Sequence, residues 1–452
     1  MIIDLEQREP VETVMISGTS AWPILRTHFY LQSVYKGTGI NKSNPWGTVK
    51  NTLIGLLTLP FCRKKIIFSS TELDNRTLDS KRFNRYFYLL YQLWPKDQQL
   101  YLELPSSQTN LPKKSLNPKT VPATAIYSLA YLLSYFYRFE SAKNVEVLEK
   151  IGAELGVTNL GLNRVPFHLA MVDVFSFLLK FWKPQIIVLS DYYSALNLAL
   201  IQAAKRQGIL VVEIQHGVIN LQHPAYSVDR SKIDSSLMPD FLWTFDPKLS
   251  ETLGERSFIP NERIVCLGHP YLTLVKQKTK VRNPKKDSTV RILVTLQSPV
   301  QAALIEFLKE AANLNPELHF TLLPRSLENA KLIPPLPTNQ FTVLQSGDFY
   351  HLVTEHDLHL TVYSTCALEA PTLGIANILV DIDGWSKKVF GKQLSKENGS
   401  VYISDPKELK AAVSEALTIS PELITAASQK WLATDFDKNA RRFLEKSTTA
   451  LR

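Results

Sequence analysis

Residues able to do chemistry gather where apolar runs end in this 452-residue chain. Leu358 to Tyr363 is a short apolar, β-branched run that reads as a buried strand. It ends on Ser364-Thr365, and a short helical stretch to Gly374 follows. A strand that meets a hydroxyl pair and then a helix builds an anion site. First-turn N–H groups lack intrahelical partners, and the helix dipole adds partial positive charge. The two hydroxyls add donors for a phosphate, and Glu369, one turn in, can accept two ribose hydroxyls. An N-cap followed by a solvated glutamate explains the same residues without a ligand. Arg325 directly follows the apolar run HFTLLP, where it can hold a phosphate through two parallel hydrogen bonds or make a surface ion pair.

A second group lies at 191–217. His216 follows the run ILVVEI and precedes Gly217, a residue that lets backbone come close to a ligand. A histidine there can act as a base near neutral pH or donate to a phosphate. Asp191 sits at the end of QIIVLS, as a base or as a helix N-cap. Glu213 alternates with Ile214 on a buried strand, so it either pairs with a cation or lines a ligand site. The third group is Gly268-His269-Pro270, in which His269 either touches a ligand or closes a turn. His356 and His359 lie three apart, but no histidine spacing suggests a shared metal site, and no metal is expected.

These residues need elements to hold them. Residues 184–218 form the clearest β-α-β unit: Pro184 opens a strand, Asp191–Ser194 make a turn, a helix follows, and Gly208 ends it before the second strand. Parallel strands joined in this way require helices on both faces of a sheet, and ligands bind beyond the carboxyl ends of such strands. Earlier, 11–17 and 65–70 read as strands near the start of this α/β domain, 83–94 as an aromatic-rich helix and 105–122 as a surface loop. Helices are expected over 123–140 and 164–182. Short strands follow at 241–245 and 263–268, then a Lys/Pro-containing linker at 276–289. A second α/β alternation runs from 291 to 382. The domains expected are therefore 1–275 and 288–420, both Rossmann-like, with a C-terminal amphipathic helical tail over 421–452 packing back on the first.

Composition narrows the classes. A hydrophobic content of 45% with 21% charged residues describes a globular chain. The net charge of +9 suits anionic ligands or an anionic membrane surface. The basic cluster Lys276, Lys278, Lys280, Arg282, Lys285 and Lys286 falls in the linker, not on an aromatic-interleaved face, so no nucleic-acid partner is expected. Cys62, Cys266 and Cys366 have no paired spacing, which points to a reducing compartment. The acidic start MIIDLEQREP is not read as a signal peptide. The stretch at 125–139 falls short of the roughly 20 residues of a membrane span. The expected location is cytoplasmic, resting peripherally on the inner membrane.

Glu213-Ile214-Gln215-His216-Gly217, followed by His223-Pro224-Ala225-Tyr226, resembles the Gln-His-Gly segment of bacterial surface-polysaccharide transferases, including capsule-synthesis and CDP-glycerol transferase relatives. Gly268-His269-Pro270 resembles their Gly-x-Pro turn at the domain junction, and Ser364-Thr365 with Glu369-Ala370 and Gly374 their donor signature. The resemblance covers roughly 184–385. It implies a B-type glycosyltransferase, an α/β protein of two Rossmann-like domains facing across a cleft. His216, Asp191 and Glu213 are then the catalytic candidates. Gly217, Gly268, His269, Pro270, Arg325, Ser364, Thr365 and Glu369 are the donor-binding candidates. The co-substrate implied is a nucleotide sugar, used without metal or other cofactor, and the acceptor a glycan or lipid-linked glycan in capsule or lipopolysaccharide synthesis. Two departures stand out: Pro371 interrupts the donor helix, and Gly374-Ile375-Ala376 lacks the usual proline. A sugar-nucleotide 2-epimerase, a polyol-phosphate transferase and a non-catalytic nucleotide-sugar-binding assembly protein are the alternatives.

Overall fold

The computed structural model describes residues 2–34, 45–78, 81–104, 115–137, 142–217, 219–221, 223–278, 289–391 and 394–450. The chain divides into two compact units. One comprises Met1–Thr244, Lys248–Pro270 and Phe436–Arg452; the other comprises Phe245–Pro247 and Tyr271–Asp435. Most of the linker read at 276–289, with Lys280, Arg282, Lys285 and Lys286, lies outside the described residues. Its first residues, including Lys276 and Lys278, belong to the helix Pro270–Lys278.

Among the described residues, the first unit is built on a seven-stranded sheet. Its strands are β1 (Ile66–Thr71), β2 (Gln99–Leu104), β3 (Lys119–Pro122), β4 (Ile186–Leu189), β5 (Leu210–Ile214), β6 (Phe241–Thr244) and β7 (Ile264–Cys266). Every pairing is parallel, in the order β7-β6-β5-β4-β1-β2-β3. The order reverses between β1 and β4, which leaves a crevice at the carboxyl ends of those two strands. One row of helices consists of α1 (Pro45–Thr58), α2 (Thr124–Ser134), α3 (Arg164–Trp182) and α4 (Ala195–Lys205), each packed on the next. The core combines Ile187, Leu189 and Val211 of the sheet with Met171, Phe175 and Ile201 of the helices.

Three expectations are corrected here. Residues 11–17 do not enter the large sheet: Met15–Ile16 pairs antiparallel with Thr19–Ser20 and with Ala142–Lys143. Residues 83–94 are not one helix, because the Asn84 side chain accepts from the N–H groups of Tyr86 and Phe87 and leaves only Tyr88–Tyr91 helical. The loop read over 105–122 ends as the edge strand β3, while 105–114 lies outside the described residues. β2 carries a concealed polar element, since Glu103 is buried and receives two hydrogen bonds, of 3.0 and 2.7 Å, from Arg82.

The second unit holds β8 (Val290–Thr295), β9 (Leu318–Leu323), β10 (Phe341–Val343), β11 (Leu358–Thr361), β12 (Ala376–Val380) and β13 (Ser400–Ile403). They pair in parallel in the order β10-β9-β8-β11-β12-β13, which is the Rossmann strand order. Helix α5 (Gln301–Leu314) makes the first crossover, α6 (Cys366–Glu369) begins the one after β11, and α7 (Leu409–Thr418) follows β13. The tail is not a single piece. Helix α8 (Pro421–Ser428) stays in this unit, whereas α9 (Phe436–Ala450) belongs to the first unit, where Phe443 packs edge-on to Phe241 and Trp243. Between the two helices, Asp435 takes a left-handed backbone (φ 68°) that no helix can contain.

Pro371 does stop α6 at Glu369, and the chain continues as a 3-10 turn, Ala370–Leu373, closed by Gly374 in the left-handed region (φ 78°). A proline has no N–H, so the Ala367 carbonyl loses the donor four residues on. The Asn377 side chain replaces it, donating to Ala367 O at 2.7 Å. The Asn377 carbonyl oxygen accepts from His359 Nδ1 at 2.8 Å, and His359 Nε2 then accepts from the Thr295 hydroxyl at 2.9 Å. All three side chains are buried, and burial pushes the His359 imidazole down to about 4, which keeps it neutral as this bonding pattern requires. Replacing Asn377 by leucine leaves the Ala367 carbonyl and the His359 N–H buried without partners. The expected loss is about 2–3 kcal/mol in urea unfolding of the full chain, read on the transition that reports the second unit.

Candidate active site

In the first unit the carboxyl ends of β4 and β5 bring several predicted residues together. Ser194 is the N-cap of α4, accepting from Asn197 N, so Asp191 is not. Asp191 instead accepts from Ser194 N at 3.0 Å through Oδ1, and Asn197 Nδ2 holds its backbone carbonyl at 2.7 Å. The second carboxylate oxygen of Asp191 makes no hydrogen bond among the described residues. His216 Nε2 lies 3.0 Å from the Tyr193 hydroxyl, and its backbone carbonyl accepts from Tyr86 at 2.7 Å. His216 Nδ1 is buried with no partner among the described residues. The ring is thus fixed at one nitrogen and unsatisfied at the other. Gly217 has open space where a Cβ would point.

Tyr193 is the functional candidate that the sequence did not single out; it read only as part of a turn. Burial, then the Asp191 charge, pushes its phenol well up. It is therefore a neutral hydroxyl at ordinary pH, able to donate to His216 or accept from it. His223, whose ring lies 6.0 Å from that of Tyr193, is pushed down to about 4 by burial and then by His216 nearby.

Among the described residues, Glu213 pairs with no cation. It is fully buried, and Oε1 accepts from the Tyr226 hydroxyl at 2.6 Å and from Tyr192 N at 3.2 Å. Its Oε2 is buried with no partner among the described residues. Burial first, with the Asp191 charge adding to it, pushes this carboxyl well above the usual range. Tyr226 and Tyr192 in turn pack on Phe258, so Glu213 anchors the segment after β5 to the aromatic wall that carries Tyr193. Nearby, Gly268 adopts φ 102° and His269 is buried, pushed down to about 3 by burial and by Arg85. A neutral imidazole there still offers one N–H donor to a ligand. Pro270 opens its helix, where a missing N–H costs nothing.

In the second unit, Arg325 lies two residues past the end of β9, after Pro324. It is exposed and makes no ion pair or hydrogen bond among the described residues, so the surface salt bridge is absent there. Ser364 Oγ accepts from Cys366 N at 3.3 Å, and Ser364 O accepts from Ala367 N, so the turn uses up two of the first N–H groups of α6. Thr365 is exposed, and its hydroxyl makes no capping bond. Glu369 is half-buried at the end of this four-residue helix. Gln297, after β8, accepts from Tyr363 N at 3.0 Å and ties the two central strand ends together. His356 and His359 serve different partners, Thr321 Oγ1 and Asn377, and do not converge.

These two units define the class: an α/β protein of two Rossmann-like domains, as in B-type glycosyltransferases and the sugar-nucleotide epimerases that share their fold. No protein-family model matches the sequence, and comparison with curated proteins finds no relative. Among solved structures, the chain resembles a UDP-GlcNAc 2-epimerase from Neisseria meningitidis bound to UDP-GlcNAc. The TM-score is 0.52 at 13% identity, covering 84% of this chain and 99% of that one. It also resembles the calicheamicin glycosyltransferase CalG4, with TM-score 0.50 at 15% identity, covering 85% and 98% of the two chains.

Because the folded pKa of Glu213 is raised above the unfolded value of 4.5, its contribution to stability is complete below pH 4.5 and is lost as pH rises through the folded value. Glu213→Gln removes the titration. The stability difference between variant and wild type should therefore move in favour of the variant from pH 4.5 upward, by at most about 1.4 kcal/mol per pH unit. Urea midpoints at pH 4.5 and near neutrality check this; a difference that does not change with pH contradicts the assignment.

Proposed function

We propose that the protein transfers a sugar from a nucleotide-sugar donor to a growing bacterial surface glycan, such as capsule or lipopolysaccharide. The donor phosphates are assigned to the second unit, on Arg325, Thr365 and Ser364, with Glu369 on the ribose. Carrying the proposal is an exposed arginine, unpaired among the described residues, and an uncapped threonine, both past carboxyl ends of strands in a sheet of Rossmann order. Sugar transfer leaves negative charge on the departing diphosphate, and a guanidinium with N–H donors stabilises it. No resident metal or other cofactor is assigned.

The acceptor hydroxyl needs a base, and the first unit offers His216 and Asp191. Among the described residues, His216 holds its ring through Tyr193 and has an unsatisfied nitrogen, and Asp191 has an unused carboxylate oxygen. Glu213 is assigned to positioning, as are Gly217, Gly268, His269 and Pro270. The acceptor is a glycan or lipid-linked glycan, reached from the cytoplasmic side of the inner membrane.

Epimerisation of the donor is a second reading, favoured by the structural likeness to UDP-GlcNAc 2-epimerases. Both readings place the nucleotide on the second unit, and both are tested by a melting screen with CMP, UDP, GDP, dTDP and CDP. A nucleotide at about 100 times its dissociation constant stabilises by roughly 2.7 kcal/mol. One diphosphate should raise the melt, and Arg325→Ala should weaken its binding about tenfold or more. His216→Ala should retain the melt shift while lowering kcat. A melt unmoved by all five nucleotides overturns the reading.

A further inference from the structure

Helices α1, α2 and α3 of the first unit lie side by side, yet their outward faces are not polar. On α1, Trp46, Val49, Leu53 and Leu57 recur at spacings of three and four, which puts them on one helical face. Trp46 is 83% exposed and Leu57 74%. Tyr131, Leu132, Tyr135 and Phe136 stand out at the end of α2, Phe136 being 82% exposed. Phe177 and Phe181, four apart, do the same on α3.

Hydrogen bonds join these stripes. Thr52 of α1 meets Ser128 of α2 at 3.4 Å, one turn before Tyr131 and Leu132. The Tyr135 hydroxyl donates to that of Tyr131, and Tyr137 donates to Asp173 of α3, one turn before Phe177. Single exposed apolar residues are ordinary on a protein surface. A connected apolar surface across three helices marks an interaction site.

The charges carried by these three segments are nearly all basic. Residues 45–65, 119–137 and 164–183 contain Lys50, Arg63, Lys64, Lys65, Lys119 and Arg164, then Lys180 and Lys183, against a single carboxylate, Asp173, which Tyr137 occupies. Lys50 shares the face of Trp46 and Leu53, and Lys180 lies between Phe177 and Phe181. A second copy of this face would bring like charges together. A surface of convex helices with Trp, Tyr and Phe among Leu and Lys matches an anionic bilayer, where rings settle at headgroup depth and cations meet phosphate. α3 has the length and hydropathy of a membrane span, but 61% of its apolar window is buried inside the unit, so it presents only this outer edge.

We propose that the outward faces of α1, α2 and α3 dock the protein on an anionic lipid bilayer. This deepens the transferase reading and rests on it for the purpose of docking, the delivery of a membrane-borne acceptor. The test is flotation of the full chain, without nucleotide, on phosphatidylcholine vesicles with and without phosphatidylglycerol. Wild-type protein should float with the anionic vesicles and stay behind with the neutral ones, and added salt should release it. Lys50→Glu with Lys180→Glu should reduce partition about tenfold or more. Trp46→Ser with Phe136→Ser should reduce it at constant charge. Both variants alter exposed side chains and should keep the nucleotide melt shift, so failure of docking and failure of the transferase reading are told apart. No flotation on anionic vesicles overturns the proposal, as does equal flotation on both vesicle types. A dimer in light scattering that Trp46→Ser disperses also overturns it, making the face a contact between copies.

Discussion

Parallel strand pairing is the constraint from which the rest of this structure follows. A parallel neighbour cannot be reached by a tight turn, so each strand is followed by a crossover that returns the chain to the starting edge. Every carboxyl end therefore comes out on the same side of its sheet. That is why Asp191, His216, Arg325 and Ser364, though scattered along the sequence, all lie just past the carboxyl ends of strands in their own units. The side chains that do chemistry are free to vary there because the strands beneath them are fixed by apolar burial on both faces.

The constraint has a cost wherever sequence departs from the regular crossover, and Pro371 is the clearest case. It removes a backbone donor at the point where the chain after β11 must turn back towards β12. The carbonyl it strands is capped from inside the sheet by Asn377, whose amide is oriented by a neutral His359 and, behind it, Thr295. A short, irregular donor segment is thereby held by buried side chains, not by its own helical ladder. On the other unit Glu213 does comparable work, fastening the segment after β5 to Tyr226 and the aromatic wall around Tyr193.

Much of the fold was legible because its strongest signals are local. Pro184, the apolar runs at 186–189 and 210–214, and Gly208 between them mark a β-α-β unit without any tertiary information. β2 was not legible, because Gln99 and Glu103 interrupt its apolar pattern and their burial depends on partners outside the strand, the backbone of Tyr91 for Gln99 and the Arg82 side chain for Glu103. Residues 83–94 carry helical spacing, but the two backbone N–H bonds that the Asn84 side chain accepts outweigh it. In the site, position at a strand end was readable for Asp191 and His216; the Tyr193–His216 pair and the buried state of Glu213 were not, since both arise from packing between segments. The donor helix read from Ser364 to Gly374 was anticipated as shortened by Pro371, while its repair by Asn377 needed the structure.

The most direct measurement is phosphorus NMR of the full chain with the sugar donor of whichever nucleoside diphosphate it binds, run with and without a glycolipid extract as acceptor. Transfer predicts that the donor is stable alone and that free nucleoside diphosphate accumulates only when acceptor is present. Conversion of the donor into a second diphosphate sugar in the absence of any acceptor would contradict the account and make the protein an epimerase.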